Sequence, residues 1–202
     1  MLSLCQEAAS SNEALLALQG RNPDGTVNPQ YPHLLDLSDY IDYMIVNLWA
    51  GNWDWPWNNY WVGRDRTADS TGFKFYCWDV EDIMLSSRSP LSMNIVTNPD
   101  SREVGLPHAR LRQNAEYRLT FADHLHRLFF HDGILTPASL IQRYADLADT
   151  IEKAIVPESA RWGDQHGRYV TQDDWYAMRD RILHTYLPQR SAIVLEQFRS
   201  AG

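Results

Sequence analysis

The sequence predicts an α+β fold that is mostly α and carries one short β-hairpin. Three observations predict it. Leu37, Ile41, Met44, Ile45 and Leu48 recur at the spacing of one helix face. Two short aromatic-rich runs, Tyr60–Gly63 and Phe73–Trp78, flank a polar turn from Arg64 to Gly72. From Asn114 onward, capping residues repeatedly precede apolar stripes of helical period.

Leu2 to Leu18 reads as one or two short helices, the second capped by Ser11 or Asn12. Gly20 and the cluster Asn22-Pro23-Asp24-Gly25 interrupt it. Residues 1–30 are therefore expected to form N-terminal helices and a polar connector, and residues 31–202 the main helical lobe. The helix from Leu37 takes Asp36 or Ser38 as its cap and stops at Gly51, a residue free to adopt the left-handed conformation at a helix end. Burying its apolar face contributes on the order of 1.5–3 kcal/mol per large side chain. This helix delivers Asn52 and Asp54 into the loop that follows.

The hairpin comes next and ends at Asp79-Val80-Glu81. Beyond it, Ser86, Ser87, Ser89, Pro90, Asn98, Pro99 and Gly105 mark a long irregular stretch to Leu106. Such a stretch is either functional, as a substrate segment, or a mobile surface loop. Asn114 then caps a helix to Phe130, with Ala115, Leu119, Ala122, Leu125 and Phe129 as its apolar face. Thr136-Pro137 opens another helix, striped by Leu140, Tyr144, Leu147, Ile151 and Ile155 and expected to end at Pro157. Thr171 caps a helix carrying Trp175, Met178, Ile182 and Tyr186, and Pro188 opens a last piece with Ile193, Val194 and Phe198.

Composition narrows the function classes. The chain has 202 residues, 44% of them hydrophobic, enough for a packed core. Its 18 basic and 26 acidic residues give a formal charge of −8. No nucleic-acid partner is expected, because such binding rests on neutralising phosphates with Lys and Arg. No run of apolar residues approaches a membrane span, and the N-terminus lacks the pattern of a signal peptide. Cys5 and Cys77 have no metal-ligand spacing, and Cys77, in an apolar strand, is expected to be a buried free thiol. His124 and His126 lie on different helix faces, so they are read as surface or capping residues, as are His108 and His131. Arg161 is expected to pair with a carboxylate or with helix-end carbonyls.

The chemistry concentrates between Asn52 and Glu81. Asp54 and Asn59 lie in the loop after the apolar helix, and Asp79 follows the second strand. A hairpin would carry Asp79 back beside that loop. Carboxylate and carboxamide oxygens gathered this way suit a hard cation such as Mg²⁺, with phosphates completing its shell. An Asp, an Asn five places on and an Asp after a hairpin is also the order in protein kinases. There the first Asp orients the acceptor hydroxyl and the other two residues hold metal. The competing reading is local: Asp and Asn side chains cap turns by bonding nearby backbone. Six tryptophans crowd the same region, Trp49, Trp53, Trp55, Trp57, Trp61 and Trp78. They either pack between hairpin and helices or present a stacking face for sugars or bases.

Three segments, Tyr40-Ile-Asp-Tyr-Met-Ile-Val-Asn47, Ala50-Gly-Asn-Trp-Asp-Trp-Pro-Trp-Asn-Asn-Tyr60 and Cys77-Trp-Asp-Val-Glu81, resemble the CotH kinase family of atypical, kinase-like proteins named for a spore-coat protein. Tyr117–Asp123, His131–Pro137 and Glu158–Asp164 are similar to the C-terminal helical part of its larger bacterial members. The resemblance implies the C-lobe-like part of a protein-kinase-like fold, with Mg²⁺ and ATP as cofactors and a protein hydroxyl as acceptor. It implies Asp54 as the catalytic residue, and Asn59 and Asp79 as the residues binding metal and cofactor. Glu81 is a further ligand or a helix-capping acid. The family's nucleotide-binding half, with its phosphate-contacting lysine, precedes this part, whereas Lys74 and Lys153 both follow Asn59. The chain is therefore expected to be a fragment, a truncated gene product or a degenerate member, soluble as written and needing its missing N-terminal lobe; a longer parent would be a candidate for export or for association with the cell surface or spore coat. The alternative is a noncatalytic structural or surface-associated module with a Trp-rich binding face.

Overall fold

Helix α3 (Leu37–Ala50) runs through the apolar core and packs against the second hairpin strand, residues 74–77, and the later helices of residues 115–129 and 187–201. Asp36 caps it by accepting from the Asp39 amide at 3.1 Å, and Gly51 ends it at φ 64°, ψ 41°. Ten of its residues are buried, among them Tyr40, Ile41, Met44, Ile45 and Leu48. The computed structural model describes residues 1–67, 69–84, 87–97, 103–165 and 170–201. Among the predicted loop markers, Ser86, Asn98 and Pro99 lie outside the described residues.

Helices α1 (Leu2–Ala8) and α2 (Asn12–Leu18) precede it, with Ser11 accepting from the Ala14 amide at 3.2 Å. Cys5, Ala8, Leu15 and Leu18 are buried in the same apolar cluster as α3. Strands β1 (Tyr60–Gly63) and β2 (Lys74–Cys77) form the hairpin, antiparallel, with Tyr60 opposite Cys77 and Gly63 opposite Lys74.

The first turn of α3 anchors this ribbon. Asp39 accepts from the Phe75 amide at 2.9 Å, and Asp36 holds Thr71 at 2.7 Å and Lys74 at 3.4 Å. Phe75 sits between Tyr40 and Tyr43, with ring centroids at 4.8 and 5.5 Å. Gly72, at φ 116°, lies so close to Leu35 that an added Cβ would come within 2.7 Å of its backbone. Only glycine meets both demands at no steric cost.

A short 3₁₀ turn at Glu103–Gly105 leads into α4 (Leu106–Leu111), inside the stretch expected to be irregular until Leu106. Helix α5 (Ala115–Phe129) is capped by Asn114 as predicted, but its buried face differs. Tyr117, Phe121, Leu128 and Phe129 are buried, whereas Leu119 is 62% exposed. The amphipathic stripe alone did not resolve which side α3 and α8 would cover.

Helix α6 (Pro137–Trp162) runs through Pro157 instead of ending there. Pro157 is exposed, and so is Lys153, whose carbonyl loses its helical donor, so water can take that carbonyl. The α6 stripe splits. Leu140 and Tyr144 are half-buried, but Leu147 and Ile151 are 63% and 48% exposed. Helix α7 (Gln172–Arg181) carries a capping box between Thr171 and Asp174. It continues through a π-helical turn at Ile182–Tyr186 into α8 (Leu187–Ala201). The wider turn precedes Pro188, whose missing N–H and bulky ring disfavour a regular α-turn there. Arg161 makes no carboxylate contact among the described residues; its guanidinium lies over the Trp162 ring at 4.7 Å.

The chain is thus mostly helical with a two-stranded antiparallel sheet, consistent with the predicted class. Among the described residues, no helix is long and apolar enough to cross a membrane.

Candidate functional site

The end of α3 launches the loop that holds the site. Gly51 reverses the chain, its amide bonded to the carbonyls of Asn47 and Leu48 at 3.0 and 3.3 Å. The Asn52 side chain then turns back and donates to Asn47 Oδ1 at 3.2 Å. Asn47 itself donates to the Tyr43 carbonyl at 3.0 Å and reaches Cys77 Sγ at 3.4 Å. Both amides are almost wholly buried, so their polar atoms need these partners. Together they tie the helix, the loop and the last residue of β2.

Tryptophans hold the loop from both sides. Trp55 is buried and donates to Tyr43 Oη at 2.6 Å; burial raises the Tyr43 phenol above its ordinary pKa. Trp53 donates to Asp82 at 3.0 Å, with the Arg88 guanidinium 4.8 Å from its ring and 2.7 Å from Asp82. The Trp53 and Arg88 hydrogen bonds keep the Asp82 carboxyl below its usual range.

Between these anchors lie Asp54 and Asn59, joined by a hydrogen bond from Asn59 Nδ2 to Asp54 Oδ2 at 2.7 Å. The bond uses the amide nitrogen, which leaves the Asn59 carbonyl oxygen as a free acceptor type. Asn59 takes φ 60°, a left-handed conformation that Asn tolerates better than most residues. It immediately precedes β1. Asp79 lies two residues beyond Cys77, the partner of Tyr60, so the strand register brings Asn59 and Asp79 to the same end of the ribbon. Neighbouring strands run about 4.8 Å apart. Asp79 is exposed at φ 51° and makes no hydrogen bond among the described residues. The structure therefore joins Asp54 to Asn59 directly and sets Asp79 at the adjacent strand end without bonding it to either.

The donor set consists of two carboxylates and one amide, all oxygen donors of the type a hard cation takes. Among the described residues, no group of three or more His, Cys, Asp or Glu has the geometry of a metal site. Glu81 lies in a turn that starts no helix, so its helix-capping role does not hold.

Other expectations need correction. Cys77 is exposed rather than buried: it is the last residue of β2, and the contact of its Sγ with the Asn47 amide does not cover the whole residue. His108 is neither a surface nor a capping residue. It is buried, Nδ1 bonded to Tyr117 Oη at 2.8 Å, and burial, assisted by Arg112, pushes its pKa down to about 3. His124 pairs with Asp42 at 2.7 Å and His126 stacks on Phe130 with centroids 5.1 Å apart. The tryptophans divide: Trp49 and Trp55 are buried, while Trp61 and Trp78 are 61% and 58% exposed and meet edge to face at 6.3 Å.

One residue escaped sequence reasoning altogether. Arg190 of α8 is fully buried and donates to the carbonyls of Trp49, Leu91 and Met93 at 2.7, 2.7 and 2.8 Å. Ser89 bonds the Gly51 carbonyl beside it. The only available signal was an arginine set directly before the run Ser191-Ala192-Ile193-Val194.

Residues 9–194 match the family model described as CotH kinase protein. No curated protein and no solved structure matches the chain.

Proposed function

We propose, from the premise that this chain belongs to the CotH kinase protein family, that it is the helical, catalytic-loop part of a Mg-ATP-dependent phosphotransferase acting on a protein hydroxyl. The observation that carries the reading is the 2.7 Å bond between Asn59 and Asp54 at the end of the ribbon that also delivers Asp79. Asp54 Oδ2 is occupied by Asn59, so Oδ1 is left to accept a hydrogen bond from the acceptor hydroxyl and orient it. Asn59 Oδ1 and the Asp79 carboxylate are the residues that would hold Mg²⁺. The bound Mg-ATP supplies the phosphoryl group and a cation that offsets its developing charge. Neither lysine serves that end of the ribbon: Lys74 pairs with Asp36 at the start of α3, and Lys153 lies on α6. A nucleotide-binding lobe beyond these residues completes the domain in this reading.

The test is phosphoryl transfer from ATP by the domain with that lobe attached. Asp79→Ala abolishes Mg-dependent turnover, and Asp54→Asn reduces it by at least a hundredfold, the lower range for general acid–base groups. Unchanged turnover in Asp79→Ala would end the proposal.

The exposure of Trp61 and Trp78 favours a second reading, a noncatalytic module whose hairpin binds a partner or a sugar. Calorimetry of this chain against ATP with and without Mg²⁺ separates the two. Mg-dependent nucleotide binding counts against the purely structural reading.

A further inference from the structure

Helices α4, α5 and α8 line a groove of about 940 Å³ to which neither Asp54, Asn59 nor Asp79 contributes. Its apolar walls include Phe121 and Leu125 of α5 and Leu195 and Phe198 of α8, with Phe130, 40% exposed, also lining it. Its size is that of a pocket for a small organic molecule.

The charges around it are one-sided. Arg112, Arg118 and Arg199 line the groove, and no Asp or Glu among the described residues does. This is a marked local reversal in a chain of net charge −8. Arg118 is held by the carbonyls of Arg112 and Gln113 at 3.0 and 2.9 Å, and neither Arg112 nor Arg118 pairs with a carboxylate among the described residues. Arg199 has only an exposed contact to Glu196 at 3.4 Å. The C-terminal end of α4 favours cations nearby, which helps place Arg112 but leaves the lack of acids unexplained. Buried His108 also lines the groove, and its Nε2 has no partner among the described residues.

We propose that this groove binds an anionic amphiphile, an alkyl carboxylate, with its chain between α5 and α8 and its head at Arg112 and Arg118. The apolar walls supply non-directional affinity, and the arginines select the sign of the head group. Arginine suits this task because its planar fork meets both oxygens of a carboxylate at once.

Calorimetric titration of the full chain with monomeric dodecanoate tests the assignment. Dodecanoate binds at one site, and shortening it to decanoate weakens binding by about tenfold. Dodecyltrimethylammonium, with the same chain and opposite charge, binds at least tenfold more weakly. Arg112→Gln with Arg118→Gln lowers dodecanoate affinity at least tenfold, whereas the paired Lys substitutions keep most of it. Ala122→Trp, at an exposed groove position, removes binding while the thermal midpoint is kept. The proposal fails if dodecanoate does not bind, or if the cationic amphiphile binds equally well. It fails too if an acidic amphipathic peptide occupies the groove and dodecanoate does not displace it.

Discussion

Arg190 donates its Nε hydrogen to the carbonyl oxygen of Trp49 at 2.7 Å, joining residues 141 positions apart. The same guanidinium reaches the carbonyls of Leu91 and Met93, so one side chain closes the end of α3, the 89–93 segment and α8 on each other. A buried cation is costly when it lacks partners. Here helix-end and loop carbonyls, the negative ends of peptide dipoles, replace the missing carboxylate.

Arg190→Met is therefore expected to destabilise the protein by about 3 kcal/mol or more, because several buried carbonyls lose their donors at once. Arg190→Lys is milder, since it keeps charge and some donors but not the fork. Urea unfolding of the three proteins measures the order; equal midpoints would contradict it.

Asn59 tests the backbone apart from the chemistry. At φ 60°, alanine costs about 1–2 kcal/mol and glycine much less. Asn59→Gly should thus melt above Asn59→Ala, although both lack the amide that bonds Asp54. Thermal scans of the pair decide this.

His108 predicts an acid-sensitive fold. Its buried ring is neutral, with a pKa lowered from 6.5 to about 3, so the unfolded chain holds one more proton within that window. The contribution is fully present above about pH 6.5 and is lost as pH falls toward 3, at about 1.4 kcal/mol per unit. Unfolding free energies between pH 6.5 and 4 should fall less steeply in His108→Gln than in the parent.

Gly72→Ala should loosen the hairpin. Its Cβ would press on the Leu35 backbone at a φ of 116°, a strain expected to cost about 2 kcal/mol. The melting temperature drops, and the near-ultraviolet dichroism from the Trp61–Trp78 pair weakens before global unfolding. An unaltered spectrum and melt would show that the turn tolerates a side chain.

Local signals were legible in the sequence wherever the determining interaction is local. The Asp36 and Gly51 ends of α3, the Ser11, Asn114, Thr136 and Thr171 caps and the antiparallel hairpin all follow from residues within a few positions of each other. The hydrogen bond from Asn59 to Asp54 is also local, spanning five residues, but the sequence signals only that both lie in one loop. Leu119 and Leu147 belong to apolar stripes yet are exposed, because an apolar residue at helical spacing does not say whether a neighbour covers it. Pro157 does not terminate α6, because the rule against interior proline weakens where water can take the orphaned carbonyl.

What the amino-acid order determined by itself is the set of elements, their caps, and the placing of Asp54, Asn59 and Asp79 around one hairpin. What only the tertiary structure decided is which groups meet: Arg190 under the end of α3, His108 against Tyr117, and the arginines that line the groove between α5 and α8. The reason is physical. Caps and turns are short-range hydrogen bonds readable from near neighbours. Burial and charge balance are sums over residues that meet only after long loops close, and no local pattern carries that information.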